Sequence, residues 1–418
     1  MVKQIETMII GGGQAGLSTS YCLTQQGREH LVLEKAEYAA PVWRNRWDSF
    51  TLITPNWMIR LPGGEYQGDD PDGFMPRDDL VAYFQDYVEK YDFPVQYDTY
   101  ATEVTPAGKG YRIQTNHGPF EAANVVIATG LHQQPKKPPF YERISPEILQ
   151  LHSSQYRNPD KIPAGAVLVV GSAQSGAQIA EEIYQSGRKV YLSVSDTGRI
   201  PRRYRGKDVT VWMRDMKMYE KTVDELGSPK EKFAASAHGT GKDGGHTINL
   251  HQFYRDGVTL LGSVRGAEEH KITLAADLKE NLASADRFEK EFIREIDQYI
   301  ETHGVDAPEE TLPNMKDGYQ QEEILTLNLQ SAGIRSIIWA TGYRFDFSMV
   351  KLPVFDKDGF PIQSRGVTAY KGMFFVGLPF LYCGKSGLLF GVGEDAAYVA
   401  TVITQQQMLE HPVFSASM

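Results

Sequence analysis

Two stretches of this sequence could cradle a phosphate. Gly11-Gly12-Gly13-Gln14-Ala15-Gly16 follows the apolar run Thr7-Met8-Ile9-Ile10, and Gly171-Ser172-Ala173-Gln174-Ser175-Gly176 follows Ala166-Val167-Leu168-Val169-Val170. In each, a turn carries the chain from a buried-type strand into a helix, whose first backbone N–H groups then face an anion. Gly11 and Gly171 permit the turn, Gly13 lets the backbone approach a pyrophosphate, and Gly16 and Gly176 let helix pack on strand. Ala173 stands where the second motif would carry its middle glycine, and it is small enough to keep the turn.

What ends the next strand decides what each ribose meets. His30-Leu31-Val32-Leu33 runs into Glu34, near the ~20-residue spacing of a ribose-binding carboxylate, whose oxygens can accept both hydroxyl protons. Lys189-Val190-Tyr191-Leu192 runs into Ser193-Val194-Ser195-Asp196, with no acid closing the strand, and a basic loop of Arg199, Arg202, Arg203, Arg205 and Lys207 follows. An acid would favour NAD, whereas arginines favour the 2′-phosphate of NADP. The loop predicts NADPH, read by Arg202 and Arg203 with Arg199 as helper; the bland alternative is a solvated basic loop. Two nucleotide units in one chain imply two bound nucleotides, and two nucleotides facing each other imply that one reduces the other.

The elements that hold these residues follow from periodicity. A helix is expected from Ala15 to Gln26, closed by Gly27, and another from Ala177 to Gln185, closed by Gly187. Arg77 to Tyr91 has Leu80, Phe84 and Val88 on one face, and alternating strands fill Phe93 to Phe120. Asn124 to Gly130 reads as a buried strand ending in Ala128-Thr129-Gly130, and Ile337 to Gly342 repeats it with Ala340-Thr341-Gly342. Pro135 to Pro139 marks a boundary, Phe374 to Gly377 a strand, and Leu388 to Gln406 a closing helix. The second nucleotide unit is thus inserted in the first. Residues 1–157 and 331–418 are expected to form one domain, and 158–330 the other with a helical and loop insertion. Within that insertion, Trp212, Met213, Met216, Met218 and Tyr219 read as core more than as a substrate box. On the helix Arg287 to His303, the face of Phe288, Phe292, Ile296 and Tyr299/Ile300 either docks on its own domain or meets a second copy in a homodimer.

Composition narrows the class. The chain of 418 residues carries 43 basic and 53 acidic residues, a net charge of −10, which argues against nucleic acid as partner. Cys22 and Cys383 form no CxxC pair, so no thiol redox couple is expected. No run of ~18 apolar residues suggests a membrane span, and a strand close to Met1 leaves no room for a signal peptide; a cytoplasmic enzyme is expected. Gly377 to Gly384-Lys385-Ser386 is too widely spaced for a phosphate loop. His246 and His251 do not share one helical face, and no metal site is expected.

Taken in order, Gly11–Gly16, Trp43-Arg44-Asn45-Arg46-Trp47, Ala128-Thr129-Gly130, His152-Ser153-Ser154-Gln155-Tyr156-Arg157, Gly171–Gly176 and Ala340-Thr341-Gly342 form a set. Gly384 to Leu389 and Gly391 to Ala397 complete it. This set resembles the flavin-containing monooxygenase family, the class B flavoprotein monooxygenases, in their short bacterial form, over essentially the whole chain. The resemblance implies an α/β fold of glutathione-reductase type, with two Rossmann-like dinucleotide-binding domains, FAD on the first and NADPH on the inserted one. Carried over, Glu34 holds the FAD ribose with Lys35 nearby, and Trp43, Arg46 and Trp47 lie close to the isoalloxazine. Gln14, Ala15, Ala101, Thr129, Gly130 and Gly377 belong to the FAD contacts. Gln174 and Ser175 fall at the NADP site, and Thr341 and Gly342 are further cofactor-binding candidates. Gly387 and Leu388 set a helix N-terminus against the flavin, where the dipole favours the reduced anion. His152 touches NADP, and His152 and Asn56 are the catalytic candidates.

Two departures stand out. The family's Phe-x-Gly ahead of the histidine reads Pro146 and Ile148, and its Thr-Asn reads Thr54-Pro55-Asn56, shifted by one residue. Tyr156-Arg157 matches N- and S-oxidising members, and the tryptophan of Baeyer–Villiger enzymes is missing. The activity implied is oxygenation of a small nitrogen or sulfur nucleophile by molecular oxygen through a flavin C4a-hydroperoxide. The alternatives are an NADPH-dependent flavin reductase or oxidase and a non-catalytic nucleotide-sensing flavoprotein, against which two intact glycine motifs argue.

Overall fold

Strand β1 (Lys3–Ile10) is exposed at its start and fully buried over its last four residues, where it is covered on both faces. It appears in a computed structural model that describes residues 2–228, 230–233 and 237–410. After β1 come α1 (Gln14–Gln25), β2 (His30–Leu33), α2 (Arg77–Tyr91), β3 (Val95–Gln96), β4 (Ala101–Ala107), β5 (Gly110–Thr115) and β6 (Gly118–Ile127). Next are β7 (Gln134–Pro135), β8 (Leu149–His152), β9 (Ala166–Val170), α3 (Gln174–Gln185), β10 (Val190–Ser193), β11 (Thr259–Leu261) and α4 (Leu278–His303). The chain closes with β12 (Ile334–Trp339), β13 (Tyr343–Arg344), β14 (Met373–Phe375) and α5 (Val392–Glu410).

Two sheets organise these elements. The first has the order β3-β2-β1-β6-β5-β4, with β14 pairing alongside β6 in parallel. The second is parallel throughout, in the order β8-β12-β9-β10-β11. Everything in the second sheet lies, in sequence, between β6 and β14 of the first, so one α/β dinucleotide unit is inserted in the other. The expected division after 157 and before 331 moves outward on both sides, because β8 and β12 are neighbours in the second sheet. Leu149-Gln150-Leu151-His152 is short and half polar, yet its backbone groups are claimed by β12. The crossings between units are β7 and β13, which pair antiparallel as Tyr343↔Pro135 and Arg344↔Gln134. Residues 411–418 of the expected first unit lie outside the described residues.

The duplication extends to register. Ile10 pairs with Leu33 and Val170 with Ser193, so each glycine loop leaves the same point of its sheet. Gly11 sits at φ +112 and Gly171 at φ +99, a region that disfavours a side chain. A Cβ on Gly16 would lie 1.8 Å from the Gly11 carbonyl, and one on Gly176 would lie 1.8 Å from that of Gly171. Helix packing on the strand therefore requires glycine at both positions.

Packing fixes the rest. Leu80 and Phe84 of α2 join the main core with Leu17 and Leu23 of α1 and Val399 and Ile403 of α5, each full burial contributing about 1.5–3 kcal/mol. On α4, Phe292, Ile296 and Ile300 close over Trp212, Tyr204 and Val209, so the insertion's tryptophan is core. Phe288, expected on that face, is 45% exposed instead and lies over Gly198. No helix among the described residues is long and apolar enough to cross a membrane.

Candidate cofactor and active site

Around the first glycine loop the geometry leaves an open cradle. An added Cβ on Gly13 would meet nothing within 4 Å, and no side chain caps the start of α1. The leading amides of the helix are thus free for an anion. Glu34 is buried beside them, its Oε2 accepting from Gly12 N at 2.9 Å and its Oε1 from Ala36 N at 2.8 Å. Burial pushes its carboxyl up, while the amides of Ala36 and Gly12 pull it down. Lys35 is exposed over the Tyr100 ring, and Ala101 opens β4 two residues after Thr99, whose amide donates to the Glu34 carbonyl at 2.9 Å. These groups fit a dinucleotide with a free-hydroxyl ribose, as FAD has.

The loop from 384 to 391 borders the cradle. Gln14 Nε2 donates to the Gly387 carbonyl at 2.7 Å. Gly377, at φ +85, abuts the helix start so closely that a Cβ there would lie 2.4 Å from that of Ala15. The helix expected to begin at Gly387 and Leu388 begins at Val392; turns occupy 386–391, and Leu388 is 38% exposed. Gly387 therefore offers a carbonyl to Gln14, not a helix N-terminus to the flavin.

At the second loop a hydroxyl replaces the carboxylate. Ser172 N donates to Ser195 Oγ at 3.3 Å, the counterpart of Gly12 N on Glu34. Ala173 sits at φ −68 and ψ −175, close to Gly13 at φ −83 and ψ −170, so the alanine keeps the turn. No side chain caps α3, so its leading amides have no side-chain acceptor, as in the first unit. Without a carboxylate at Ser195, a 2′-phosphate meets no repulsion at that position, which suits NADPH. A segment that sequence reasoning missed covers this loop: Gln174 exchanges hydrogen bonds with both backbone groups of Gly239, and His238 donates to the Ser172 carbonyl. Its signal was the repeated glutamine, since Gln14 and Gln174 each pin a glycine of an overlying loop.

The arginines expected to read the phosphate are otherwise engaged. Arg199 is buried and donates to Asp286 at 2.7 Å and Glu289 at 2.6 Å on α4. Arg202 is buried in a two-pronged pair with Asp208, at 2.7 Å on each prong, and also donates to the Ile53 carbonyl at 2.6 Å. Largely buried carboxylates already satisfy both charges, which corrects their assignment as phosphate readers. Arg203 alone is exposed, donating to the Gly244 and Gly245 carbonyls.

Between the two units lies the cleft where the strand ends converge. His152 is wholly buried; its Nε2 donates to the Gly342 carbonyl at 2.9 Å, and its Nδ1 faces Ser154 Oγ at 2.9 Å. Burial holds it below the ordinary imidazole range. With both nitrogens occupied it can position the 340–342 loop, and it is not placed to exchange protons with a substrate. Thr341 donates to the Lys136 carbonyl, while Thr129 and Gly130 are both tied to Gln133. Asn56 is buried, donates to the Asp70 carbonyl at 2.9 Å, and leaves its Oδ1 without a partner.

Of the aromatic segment, Trp47 is core, edge-on to Phe50 at 5.1 Å, and Trp43 is half-buried beside the same ring at 6.0 Å. Arg46 donates to His132 Nε2 at 3.0 Å and lies 5.9 Å over Trp43 and 5.6 Å over Phe50. His132, another residue missed in sequence, is pushed down to about 3 by burial and by Arg46, so it stays neutral at physiological pH. His246 and His251 are separately bonded, to Glu181 at 2.7 Å and Asp286 at 3.2 Å.

Known proteins share this arrangement. Residues 8–227 match the family model of pyridine nucleotide-disulphide oxidoreductases. An uncharacterized CzcO-like oxidoreductase of Geobacillus kaustophilus is 32% identical over 397 residues, covering 94% of this chain and 97% of its own. Indole-3-pyruvate monooxygenase YUCCA1 of rice, Oryza sativa subsp. japonica, is 27% identical over 194 residues, 46% of this chain and 48% of that protein. In three dimensions the flavin-containing monooxygenase of Stenotrophomonas maltophilia superimposes with a TM-score of 0.65 at 19% identity, covering 97% of this chain and 100% of that one.

Proposed function

The chain belongs to the pyridine nucleotide-disulphide oxidoreductase family; from that premise we propose that it is a flavin-containing monooxygenase using FAD and NADPH, which transfers one atom of molecular oxygen to a nitrogen or sulfur nucleophile of a small substrate. The observation that carries this reading is the pair of glycine loops with uncapped helix starts, at Gly13 and Ala173, on two units that Arg202 joins through the Ile53 carbonyl. FAD, when bound, supplies the two-electron carrier and the activation of oxygen.

Each residue's part follows from its surroundings. The amides of Gly13, Gln14 and Ala15 hold the pyrophosphate of FAD, and Glu34 orients its ribose. The amides of Ala173, Gln174 and Ser175 do the same for NADPH. His152 fixes the 340–342 loop of the second unit through Gly342. The insertion reaches over to the first unit where Arg202 holds the Ile53 carbonyl and stacks 4.4 Å from Phe74. Asn56, three residues further on, is buried. The unpartnered Oδ1 of Asn56 is then a fixed acceptor for a donor hydrogen of a nucleotide or substrate. Its loss would let reduced cofactor discharge to peroxide.

Coupling tests the proposal. The FAD-loaded protein, supplied with NADPH, air and a panel of amines and thioethers, is expected to form oxygenated product in step with NADPH consumed. Asn56→Ala should leave anaerobic flavin reduction by NADPH nearly intact and divert most turnover to hydrogen peroxide. Peroxide alone from the wild-type protein with every nucleophile would support a reductase or oxidase instead. An unchanged product-to-peroxide ratio in Asn56→Ala would remove that residue from the reaction.

A further inference from the structure

We propose that residues 219–223 of the inserted unit are a clasp on the loop beside the FAD cradle. Shut, it retains FAD, and the two units stay fastened while NADPH passes a hydride (two electrons and one proton) to the flavin and becomes NADP⁺. This rests on the two-nucleotide reading above. After the short helix Val209–Asp215 the chain turns at Lys217, whose φ is +58, and reaches the first unit. There it runs antiparallel to residues 382–385. Lys385 N donates to the Tyr219 carbonyl at 3.2 Å, Gly384 N to the Lys221 carbonyl at 3.0 Å, and Val223 N to the Tyr382 carbonyl at 3.0 Å. Thr222 and Cys383 face each other between the last two of these bonds.

Side chains tighten the join. The Tyr219 ring stands edge-on to Phe390 at 4.8 Å. Lys385 Nζ lies between Glu220 of the clasp, at 3.3 Å, and Glu394 in the first turn of α5, at 2.7 Å. Further along the insertion, Lys232 meets Asp356 at 3.7 Å and lies 4.0 Å over the Phe360 ring. These contacts hold the first unit well away from the point where Arg202 reaches the Ile53 carbonyl, so the insertion grips it at separate places along the chain.

The grip reaches the cofactor side because the loop 382–388 is tied within itself. Ser386 Oγ accepts from the amides of Tyr382 at 3.1 Å and Cys383 at 3.0 Å, and Leu388 N donates to the Lys385 carbonyl at 2.9 Å. Gly387, in the same turn, takes Gln14 of the first glycine loop at 2.7 Å. One loop thus carries the coenzyme unit on one side and the FAD glycine loop on the other. A contiguous set of hydrogen bonds of this kind transmits displacement, so parting the units loosens the FAD cradle with them.

A disulfide and a proline test this. An antiparallel pair whose members are not hydrogen-bonded to each other has its Cα atoms about 4.5 Å apart, within the ~4.4–6.8 Å span of a disulfide. Thr222→Cys is therefore expected to cross-link to the native Cys383 on oxidation with diamide; Cys22, the other cysteine, lies in the main core. NADPH should bleach the cross-linked, FAD-loaded protein anaerobically at a rate within about twofold of that after dithiothreitol reopens the bond. FAD release, which needs local opening, should slow at least about threefold. Val223→Pro deletes one clasp donor and keeps the turn, because Val223 opens a short helical turn, where proline fits. It should speed FAD release about two- to tenfold, the worth of one backbone hydrogen bond, and Val223→Ala should not. A cross-link that slows bleaching about tenfold or more, reversed by dithiothreitol, would mean that the units must part for reduction and would overturn the clasp. Failure of Thr222→Cys to cross-link, or FAD release that neither the cross-link nor the proline alters, would overturn it too. No bleaching by NADPH in the reopened protein would sink the two-nucleotide reading, and FAD release would still decide the clasp.

Discussion

Arg202 joins the two units through its pair with Asp208, its bond to the Ile53 carbonyl and its stacking on Phe74. It is 4% exposed and Asp208 is 14% exposed, so removing the guanidinium strands a largely buried carboxylate, at a cost of about 3 kcal/mol. Arg202→Gln is therefore expected to lower the melting temperature and raise peroxide release, with the ratio of NADP⁺ to NAD⁺ affinity unchanged. Titration of both coenzymes checks this; a tenfold or greater selective loss of NADP⁺ affinity would restore Arg202 as a phosphate reader. The sequence shows a basic loop, but it does not show which of its cations meet carboxylates: Asp286 and Glu289 lie on α4, far along the chain from Arg199. Single-residue roles that depend on such long-range partners were out of reach, as with His132 and Ser195. Roles fixed by local geometry, at Gly11, Gly16, Gly171 and Gly176, were legible because the turn itself demands the residue.

The segment over α3 acts as one element. It is held by Gln174 to Gly239, His238 to Ser172 and His246 to Glu181. The hydrogen bond to Glu181 raises the His246 imidazole above its ordinary value, helped by the charges of Glu181 and Asp243. A histidine raised on folding contributes its stabilisation fully below the unfolded value, about 6.5, and loses it as pH climbs through the folded one. Amide exchange over 238–246, corrected for the intrinsic pH dependence of exchange, should thus show most protection below that value and less above it. His246→Gln should flatten the profile. Protection that rises with pH would mean that the ion pair does not hold the segment. Helices such as α2, whose apolar positions recur at helical spacing, were readable from sequence with their bounds. The covering segment was not, because it is glycine-rich, has no periodicity, and is ordered by side chains of another element. The strand β8 escaped for a related reason: four half-polar residues form a strand only once β12 supplies the neighbour.

At the scale of the molecule, the insertion of one dinucleotide unit in another brings two glycine loops to a common cleft. The internal repeats disclosed that topology, apolar strand before glycine loop and apolar strand before Ala-Thr-Gly. They did not disclose where one unit ends, since the crossing strands β7 and β13 are two residues long each and carry no pattern. Nor could they show the closure of the insertion over the Asn56 segment, a contact between surfaces built from distant parts of the chain. The proposed oxygen transfer in a sheltered site rests on that closure together with the two uncapped glycine loops. Labelled oxygen gives the most direct check. The FAD-loaded protein is given NADPH, ¹⁸O₂ and the best amine or thioether found by turnover, and the product is weighed by mass spectrometry. The expected result is one ¹⁸O atom in each product molecule, with the other in water and one NADPH consumed per product. Product free of label, or label recovered entirely as hydrogen peroxide, would contradict the assignment of oxygen transfer to this chain.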